Sequence, residues 1–180
     1  ATPSEILHVM TDIHSACRQW DITLCGGHTE ITDAVCRPVV VGTLGAAMER
    51  EDLIDKGNMQ PGDRLLLTKG AAVEGTAIIA SEFGDRLHGL GMSSRELENC
   101  RRLIHQISVL PEAAIARGVK GVTAMHDVTE GGLATAVSEL SFAGGCQIDI
   151  HMDRIPILPQ TASLCRLLDI QPLGLIGSGS

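Results

Sequence analysis

A glycine-bearing polar turn at residues 126–132 constrains the fold of this 180-residue chain more than any other stretch. The apolar residues 121–125 before it are typical of a short buried strand. Leu133, Val137 and Leu140 after it recur at helical spacing. The sequence therefore predicts a strand that ends in a polar turn, from which a helix begins. Units of this kind are typical of α/β proteins.

The first turn of this predicted helix is a candidate anion site. Asp127 or Thr129 can cap its free amide groups, and Gly131 and Gly132 allow a ligand to approach the backbone. Free N–H groups and a positive dipole end favour phosphate. Asp127 and Glu130 would repel a bare phosphate, so a magnesium ion between carboxylate and phosphate fits the pattern better. The alternative is an ordinary capped helix with an acidic first turn.

A second polar cluster follows the predicted strand at residues 22–25. Its two glycines, Gly26 and Gly27, permit a close backbone approach, and its Thr29 and Glu30 can reach a ligand or a metal-bound water. His28 is a candidate general acid or base, because the ordinary pKa of a histidine is about 6.5. The alternative is a polar β-turn in water.

Lys69 is the remaining candidate for contacting phosphate. It follows the predicted strand at residues 63–68, and the alternative is a solvated turn lysine. A zinc hydrolase site can also be drawn, although the chain has neither the H-E-x-x-H motif nor the later P-C-x-x-C of a deaminase. The residues of that alternative are His28, Glu30, His126 and Asp127.

Composition excludes several classes of protein. Acidic residues outnumber basic ones by 22 to 14, the formal net charge is −8, and aromatic residues make up 2% of the chain. Nucleic-acid binding needs a basic face and stacking aromatic side chains, so that class is excluded. No run approaches the roughly 20 apolar residues of a membrane span, so we expect no membrane association. The six cysteines form no C-x-x-C pair and are interpreted as buried free thiols of a cytoplasmic protein.

Capping signals and periodicity predict the other elements. Capping boxes at residues 2–5 and 93–96 begin two helices, of which the first ends near Trp20. The charged residues 46–62 mark a domain boundary. Residues 177–180, Gly-Ser-Gly-Ser, are interpreted as a flexible linker, a cloning scar or a truncated natural segment. Further helices are predicted at 76–83, 111–117 and 159–168, and further strands at 39–44, 147–153 and 173–176.

The side chains expected to be buried are Ile6, Met10, Ile13, Cys17 and Trp20 on the first helix, and Leu97, Cys100, Ile104 and Ile107 after the second capping box.

Several motifs, in this order, resemble the aminoimidazole ribonucleotide (AIR) synthetase superfamily. They are Gly26-Gly27-His28-Thr29, Pro61-Gly62-Asp63 with the following Leu65-Leu66-Leu67-Thr68-Lys69-Gly70, and His126-Asp127-Val128-Thr129-Glu130-Gly131-Gly132-Leu133. This group includes purine-biosynthetic synthetases, selenophosphate synthetase, thiamine-monophosphate kinase and a hydrogenase maturation factor that dehydrates a carboxamide. Residues 155–157 and 165–173 are most similar to the hydrogenase-maturation (carbamoyl dehydratase) branch. The resemblance covers nearly the whole chain.

The resemblance implies a two-domain α/β (α+β) fold of AIR-synthetase type. Residues 1–48 would be the end of an N-terminal domain that binds ATP and pairs into a dimer, and residues 51–180 most of a truncated C-terminal domain. The family uses ATP and Mg²⁺ to phosphorylate an oxygen, which in the synthetases and the maturation factor belongs to an amide or carboxamide. His28, Glu30 and Asp127 would be catalytic, and Asp127 and Glu130 would hold the metal. Gly26, Gly27, Thr29, Lys69, Thr129, Gly131 and Gly132 would bind the cofactor.

Two departures from the family pattern leave the substrate open. The hydrogenase factor typically has an arginine where Glu130 stands, and a shorter Gly-Asp-Thr where this chain has residues 26–29. The glycine-rich N-terminal segment, the first domain's magnesium-binding aspartates and the branch's C-terminal cysteine lie outside this sequence. We therefore expect the 180-residue chain to be catalytically inactive on its own.

Three hypotheses for function follow. The first is an ATP-dependent enzyme that activates an amide or carboxamide oxygen, as a cytoplasmic homodimer that takes a nucleotide and a small-molecule or carboxamide substrate. A hydrogenase-maturation carbamoyltransferase would be its candidate partner. The second is a non-catalytic dimeric paralogue that acts as a binding or scaffold module. The third is the zinc-dependent hydrolase.

Overall fold

The computed structural model describes residues 2–180, which divide into one unit that ends at Ala47 and a second that spans Met48–Ser180. Helices are the regular elements of the described chain. The α-helices are α1 (Pro3–Gln19), α2 (Val73–Glu82), α3 (Gly84–Gly89), α4 (Ser94–Arg101), α5 (Leu110–Arg117), α6 (Gly132–Gly144) and α7 (Pro159–Leu168). Short 3-10 helices lie at Arg50–Asp52, Lys56–Asn58, Arg102–Gln106, Met152–Arg154 and Pro172–Gly174.

Helix α1 begins at the predicted capping box. The Thr2 hydroxyl accepts from the Glu5 amide at 3.3 Å, and the Glu5 carboxylate accepts from the Thr2 amide at 2.6 Å. The Glu5 carboxylate also accepts from the Thr2 hydroxyl at 3.1 Å, and its bonds from the Thr2 amide and hydroxyl hold the pKa of Glu5 below its ordinary value. The helix ends with Trp20 as its C-cap, as predicted.

The predicted burial of one face of α1 is wrong, because none of its residues is buried. Ile6, Ile13 and Cys17 are only half-buried, and Met10 is exposed. Burial of a helix face needs a second layer of structure packed against it. Residues 22–47 of the same unit form no helix or strand, so this unit supplies no such layer.

The second unit holds the apolar core, which is almost entirely aliphatic. Thr76 and Thr161 are buried polar residues between α2 and α7, and their hydroxyls share a hydrogen bond of 2.9 Å. Three clusters make up the core. The first contains Ala80, Leu87, Met92, Leu97, Cys100, Leu164 and Cys165, the second Val128, Leu133, Ala136 and Val137, and the third Val73, Ala77 and Leu103.

The residues after α4 differ from the prediction in register. Leu97 and Cys100 are buried as expected, but Ile104 is 41% exposed and Leu103 is 2% exposed. The α-helix ends at Arg101, and Arg102–Gln106 continue as a 3-10 helix. A 3-10 helix has about 3.0 residues per turn instead of about 3.6, so it rotates the following side chains out of the α-helical register. Leu103 thereby replaces Ile104 in the core.

The α/β class is not confirmed, because the described residues 2–180 contain no strand. The predicted strands at residues 63–68 and 121–125 are joined by a side-chain hydrogen bond, from Thr123 Oγ1 to Asp63 Oδ2 at 2.7 Å, and form no backbone ladder. Leu65 and Leu66 are 49% and 85% exposed. A strand needs a neighbouring strand for its backbone groups, and these apolar segments have none in the described chain.

The cysteines are all free thiols in the described residues, as predicted. Cys100 and Cys165 are buried, and burial raises the pKa of each thiol above its ordinary value. The predicted burial of every thiol is wrong, since Cys25 and Cys36 are exposed. Among residues 2–180, no helix combines the length and the apolar character that a membrane crossing requires.

Candidate functional site

The polar turn at residues 126–132 leads directly into α6, which confirms the predicted helix. Leu133, Val137 and Leu140 are buried on its inner face. The cap differs from the prediction, because the N-cap is Gly131 and no side chain bonds to the free amides. Instead, the Gly132 amide donates to the carbonyl of Thr129 at 3.0 Å. A glycine N-cap has no side-chain acceptor, so the Asp127 and Thr129 side chains are left available.

Gly131 and Gly132 are required by the protein's own backbone. Their φ angles are +76° and +64°, in the left-handed region that favours glycine. A Cβ on Gly131 would overlap the side chain of Thr135. One on Gly132 would overlap the carbonyl oxygens of Leu173 and Leu175. The close approach predicted for a ligand is therefore made here by residues 173–175 of the same unit.

The two carboxylates of the turn face solvent. Asp127 has 58% of its side chain exposed, and Glu130 is also exposed. Val128 between them is 3% exposed and belongs to the core cluster under α6. This alternation anchors the turn by Val128 and presents Asp127 and Glu130 outward, as oxygen donors that suit a magnesium ion.

His126 lies behind Asp127 and is nine-tenths buried. Its Nε2 is 2.6 Å from Oε2 of Glu139 on α6, and its Nδ1 is 3.4 Å from Oδ1 of Asp127. The second contact has the distance of an ion pair without the geometry of a hydrogen bond, so Nδ1 has no hydrogen-bond partner among the described residues. Glu139 thus fixes the imidazole ring that contacts the Asp127 carboxylate.

Lys69 is held inside the second unit by three acceptors. Its Nζ donates to the carbonyl of Ser108 at 2.8 Å and to that of Gly179 at 2.7 Å, and it pairs with Glu112 Oε1 at 2.9 Å. The bond from Lys69 holds the pKa of Glu112 below its ordinary value. The Lys69 side chain is 19% exposed, unlike a solvated turn lysine.

The predicted cluster at residues 26–30 lies in the first unit and is exposed throughout. No hydrogen bond is recorded for the side chains of His28, Thr29 or Glu30 among the described residues. A Cβ added to Gly26 or Gly27 would meet nothing within 4 Å. The fold of this unit therefore makes no demand for glycine at either position.

A zinc-type ligand cluster is absent from residues 2–180, where no group of three or more His, Cys, Asp or Glu side chains could hold a metal ion. The hydrolase alternative built on His28, Glu30, His126 and Asp127 thus has no assembled ligand set in the described chain. Asp127 and Glu130 are two exposed carboxylates on the same turn.

Sequence reasoning missed Glu139 as the partner of His126, and Ser108, Glu112 and Gly179 as the partners of Lys69. The contact with Glu139 could have been predicted, because a glutamate on the predicted helix after His126 is a candidate partner for that histidine. The partners of Lys69 come from segments 39 or more positions away along the chain. No local pattern could have indicated those contacts.

The family profile described as "AIR synthase related protein, C-terminal domain" matches residues 60–179. The chain therefore belongs to this family, and the predicted superfamily is confirmed. The match covers α2 to α7 and both the Lys69 and Asp127 segments.

The curated relatives point to the same group. A protein of Methanocaldococcus jannaschii named for hydrogenase expression/formation is 26% identical over 95% of this chain and 48% of its own length. A carbamoyl dehydratase HypE of Rhodobacter capsulatus is 29% identical over 88% of this chain and 44% of its own. A selenide, water dikinase of Yersinia pestis is 32% identical over 79% of this chain and 38% of its own.

The similarity to the hydrogenase-maturation branch is confirmed by the first two of these relatives. The chain spans about half the length of these curated relatives. No solved structure matches it significantly.

Proposed function

We propose that this chain is part of an ATP-dependent enzyme that phosphorylates an amide or carboxamide oxygen, as in hydrogenase maturation. Membership of the AIR synthase related family supports the general class of phosphoryl activation. The observation that carries the proposal is the Asp127 turn, where two exposed carboxylates flank a buried anchor at the start of α6. Relatives named as carbamoyl dehydratases and as selenide, water dikinases support activation of a small substrate.

In this proposal Asp127 and Glu130 hold Mg²⁺ against phosphate oxygens. Their exposure and their lack of hydrogen-bond donors among the described residues leave oxygen lone pairs free for a hard cation. Bound magnesium would neutralise the negative charge on the transferred phosphoryl group. Thr129, Gly131 and Gly132 line the same turn, and free amides at a helix start favour a phosphate there.

The first unit contributes the nucleotide-facing segment at residues 26–30 in this proposal. Gly26 and Gly27 have room above their backbone for a ligand, and His28, Thr29 and Glu30 are exposed. His28 or Glu30 would move the proton of the acceptor. The division into domains at residues 48–51, a two-domain α/β (α+β) fold and a homodimer remain proposals.

The acceptor substrate is the part of the proposal that depends on Glu130. A glutamate at this exposed position adds negative charge where the hydrogenase factor typically places an arginine, so it favours a substrate held through magnesium. A carboxamide presented by a hydrogenase-maturation carbamoyltransferase is one such acceptor. The free thiols fit a reducing cytoplasm, which is the proposed location.

The test is magnesium-dependent release of ADP from ATP by the whole protein, with and without carboxamide donors. Asp127→Asn should lower turnover about 100-fold, because it removes a charge opposite the phosphates. Its melting temperature should stay within about 2 °C of the wild type, since Asp127 caps nothing. Asp85→Asn is the matched control, because Asp85 is exposed on α3 and lies in no recorded ion pair.

Two results would contradict the proposal. Equal turnover in the Asp127 and Asp85 variants would remove Asp127 from the site. No ADP release with any amide or carboxamide donor would favour the non-catalytic paralogue that acts as a binding module.

A further inference from the structure

Residues 177–180 are packed inside the second unit, which does not fit the flexible linker among the three alternatives for this segment. Gly177, Gly179 and Ser180 are buried. A Cβ on Gly177 would lie 2.8 Å from Val128 Cγ1, and one on Gly179 would overlap the carbonyl oxygen of Gln106. Gly179 also has φ +109°, which side chains rarely adopt. The glycines of this segment are therefore required for close packing.

The segment is bonded to the turn that carries Asp127. The Val128 amide donates to the carbonyl of Ser180 at 3.1 Å, and the Ser180 amide donates to the carbonyl of Gly177 at 3.2 Å. Val128 is the buried anchor of that turn, so residues 177–180 set the position of the backbone between Asp127 and Thr129.

The same segment is bonded to the loop before α2. The Ser180 hydroxyl donates to the carbonyl of Gly70 at 2.6 Å, and Lys69 Nζ donates to the carbonyl of Gly179 at 2.7 Å. Lys69 extends the connection to Ser108 and Glu112. One ammonium group thus joins three separate parts of the chain, and each of its N–H donors has a protein acceptor.

We propose that residues 177–180 form a structural wall of the candidate site, and that Lys69 is a positioning residue that holds this wall against the Asp127 turn. The inference deepens the proposed function and rests on it for the consequence in catalysis. It assigns Lys69 a different role from direct contact with phosphate, because its donors are already engaged. Loss of the ammonium frees Gly179, which loosens Ser180 and hence the Val128 amide.

The first experiment measures amide hydrogen exchange in the whole protein. Lys69→Met should speed exchange at the Val128 amide at least about 10-fold, because local opening of this bond becomes easier. The Leu87 amide, which donates to the Phe83 carbonyl at 2.9 Å in α3, should exchange at the wild-type rate. Lys120→Met is the matched control, because Lys120 is exposed and no ion pair is recorded for it among the described residues.

Unchanged exchange at Val128 in Lys69→Met would overturn the proposal. Equal acceleration at Val128 and Leu87 would also overturn it, since it would show a general loss of stability. Should Lys69→Met fail to fold, Ser180→Ala decides the matter, because it removes only the hydroxyl bond to Gly70. It should accelerate Val128 exchange and leave Leu87 unchanged, and no effect at Val128 would count against the wall.

The second experiment separates positioning from phosphate contact by steady-state kinetics. Lys69→Met should lower kcat about 10-fold and leave KM for ATP within about 2-fold, because the turn is displaced while no nucleotide contact is lost. A KM for ATP that rises with unchanged kcat would overturn the positioning role. If wild-type protein releases no ADP, the proposed function fails, and the exchange measurement still decides the structural role of Lys69.

Discussion

Two glycine pairs look alike in the sequence and differ in the structure. Gly26-Gly27 stands before Thr29, and Gly131-Gly132 stands after Thr129. Each pair has a histidine and a glutamate nearby. The second pair has positive φ angles and is crowded by neighbouring atoms. The first pair has nothing within 4 Å of an added Cβ and no positive φ.

The difference separates two reasons for glycine in a predicted ligand loop. At Gly131 and Gly132 the fold alone explains the residue type, so glycine there says little about a ligand. At Gly26 and Gly27 no neighbouring atom of the first unit requires glycine. Ligand approach at this pair therefore stays a proposal, which substitution of the two pairs can test separately.

The largest expected effect tests this contrast directly. Gly132→Ala should lower the free energy of unfolding by about 3–5 kcal/mol, because it combines a left-handed φ with overlap on two backbone carbonyls. Gly26→Ala should change it by less than about 0.5 kcal/mol. Denaturant unfolding of both variants measures the difference.

The same two variants also sharpen the functional half of the comparison. Gly26→Ala should still impair ATP turnover in the whole protein if the glycine makes room for a nucleotide. Equal stability losses in the two variants would show that the first pair is structural as well.

The next effect concerns the core cluster of Val73, Ala77 and Leu103 in the second unit. Leu103→Ala should cost about 2–5 kcal/mol of unfolding free energy, because it leaves a cavity where a fully buried side chain packed. Ile104→Ala should cost less than about 1 kcal/mol, since Ile104 is 41% exposed. Leu7→Ala in the first unit, at 68% exposure, should behave like Ile104→Ala. A reversed order of Leu103 and Ile104 would refute the 3-10 register.

The elements that could be predicted are those specified by neighbouring residues. The capping boxes at Thr2 and Ser93 are satisfied within the next turn of chain, so their helices begin where the sequence indicates. Proline at the first position and apolar spacing likewise located α7, predicted at 159–168 and observed at Pro159–Leu168. The buried positions Leu133, Val137 and Leu140 of α6 were likewise predicted from helical spacing.

The features that could not be predicted depend on distant or alternative bonding. Ile104 was placed in the core because helical spacing was continued through a segment that changes to 3-10 geometry. Strand predictions failed because apolar runs indicate burial, whereas a strand also needs a partner. The acceptors of Lys69 and the packing of residues 177–180 arise from tertiary contacts alone.

A smaller effect is expected at Glu139, which bonds to His126 in the turn at residues 126–132. No comparable contact holds His28 in residues 26–30 of the described chain. Glu139→Gln should weaken the bond to His126 Nε2 and lower turnover about 10-fold, in the range found for residues that orient ligands of a metal site. Glu82→Gln on α2 is a suitable control, because Glu82 is exposed and no hydrogen bond of its side chain is recorded. Turnover equal to that of the control would show that His126 does not position Asp127.

The smallest effect is the loss of stability in acid that the Lys69–Glu112 pair produces. The pKa of Glu112 is lowered from its ordinary value of 4.5 by the bond from Lys69. A carboxyl group with a lowered pKa stabilises the folded state above its unfolded pKa, and this stabilisation disappears as pH falls through the folded value. Wild-type protein should therefore lose more stability below about pH 4.5 than Glu112→Gln does.

Denaturant midpoints across the acid range measure this, with Lys69→Met as the partner variant. The double variant should add nothing to the pH dependence of either single one, whereas additive changes would show that the two side chains titrate independently.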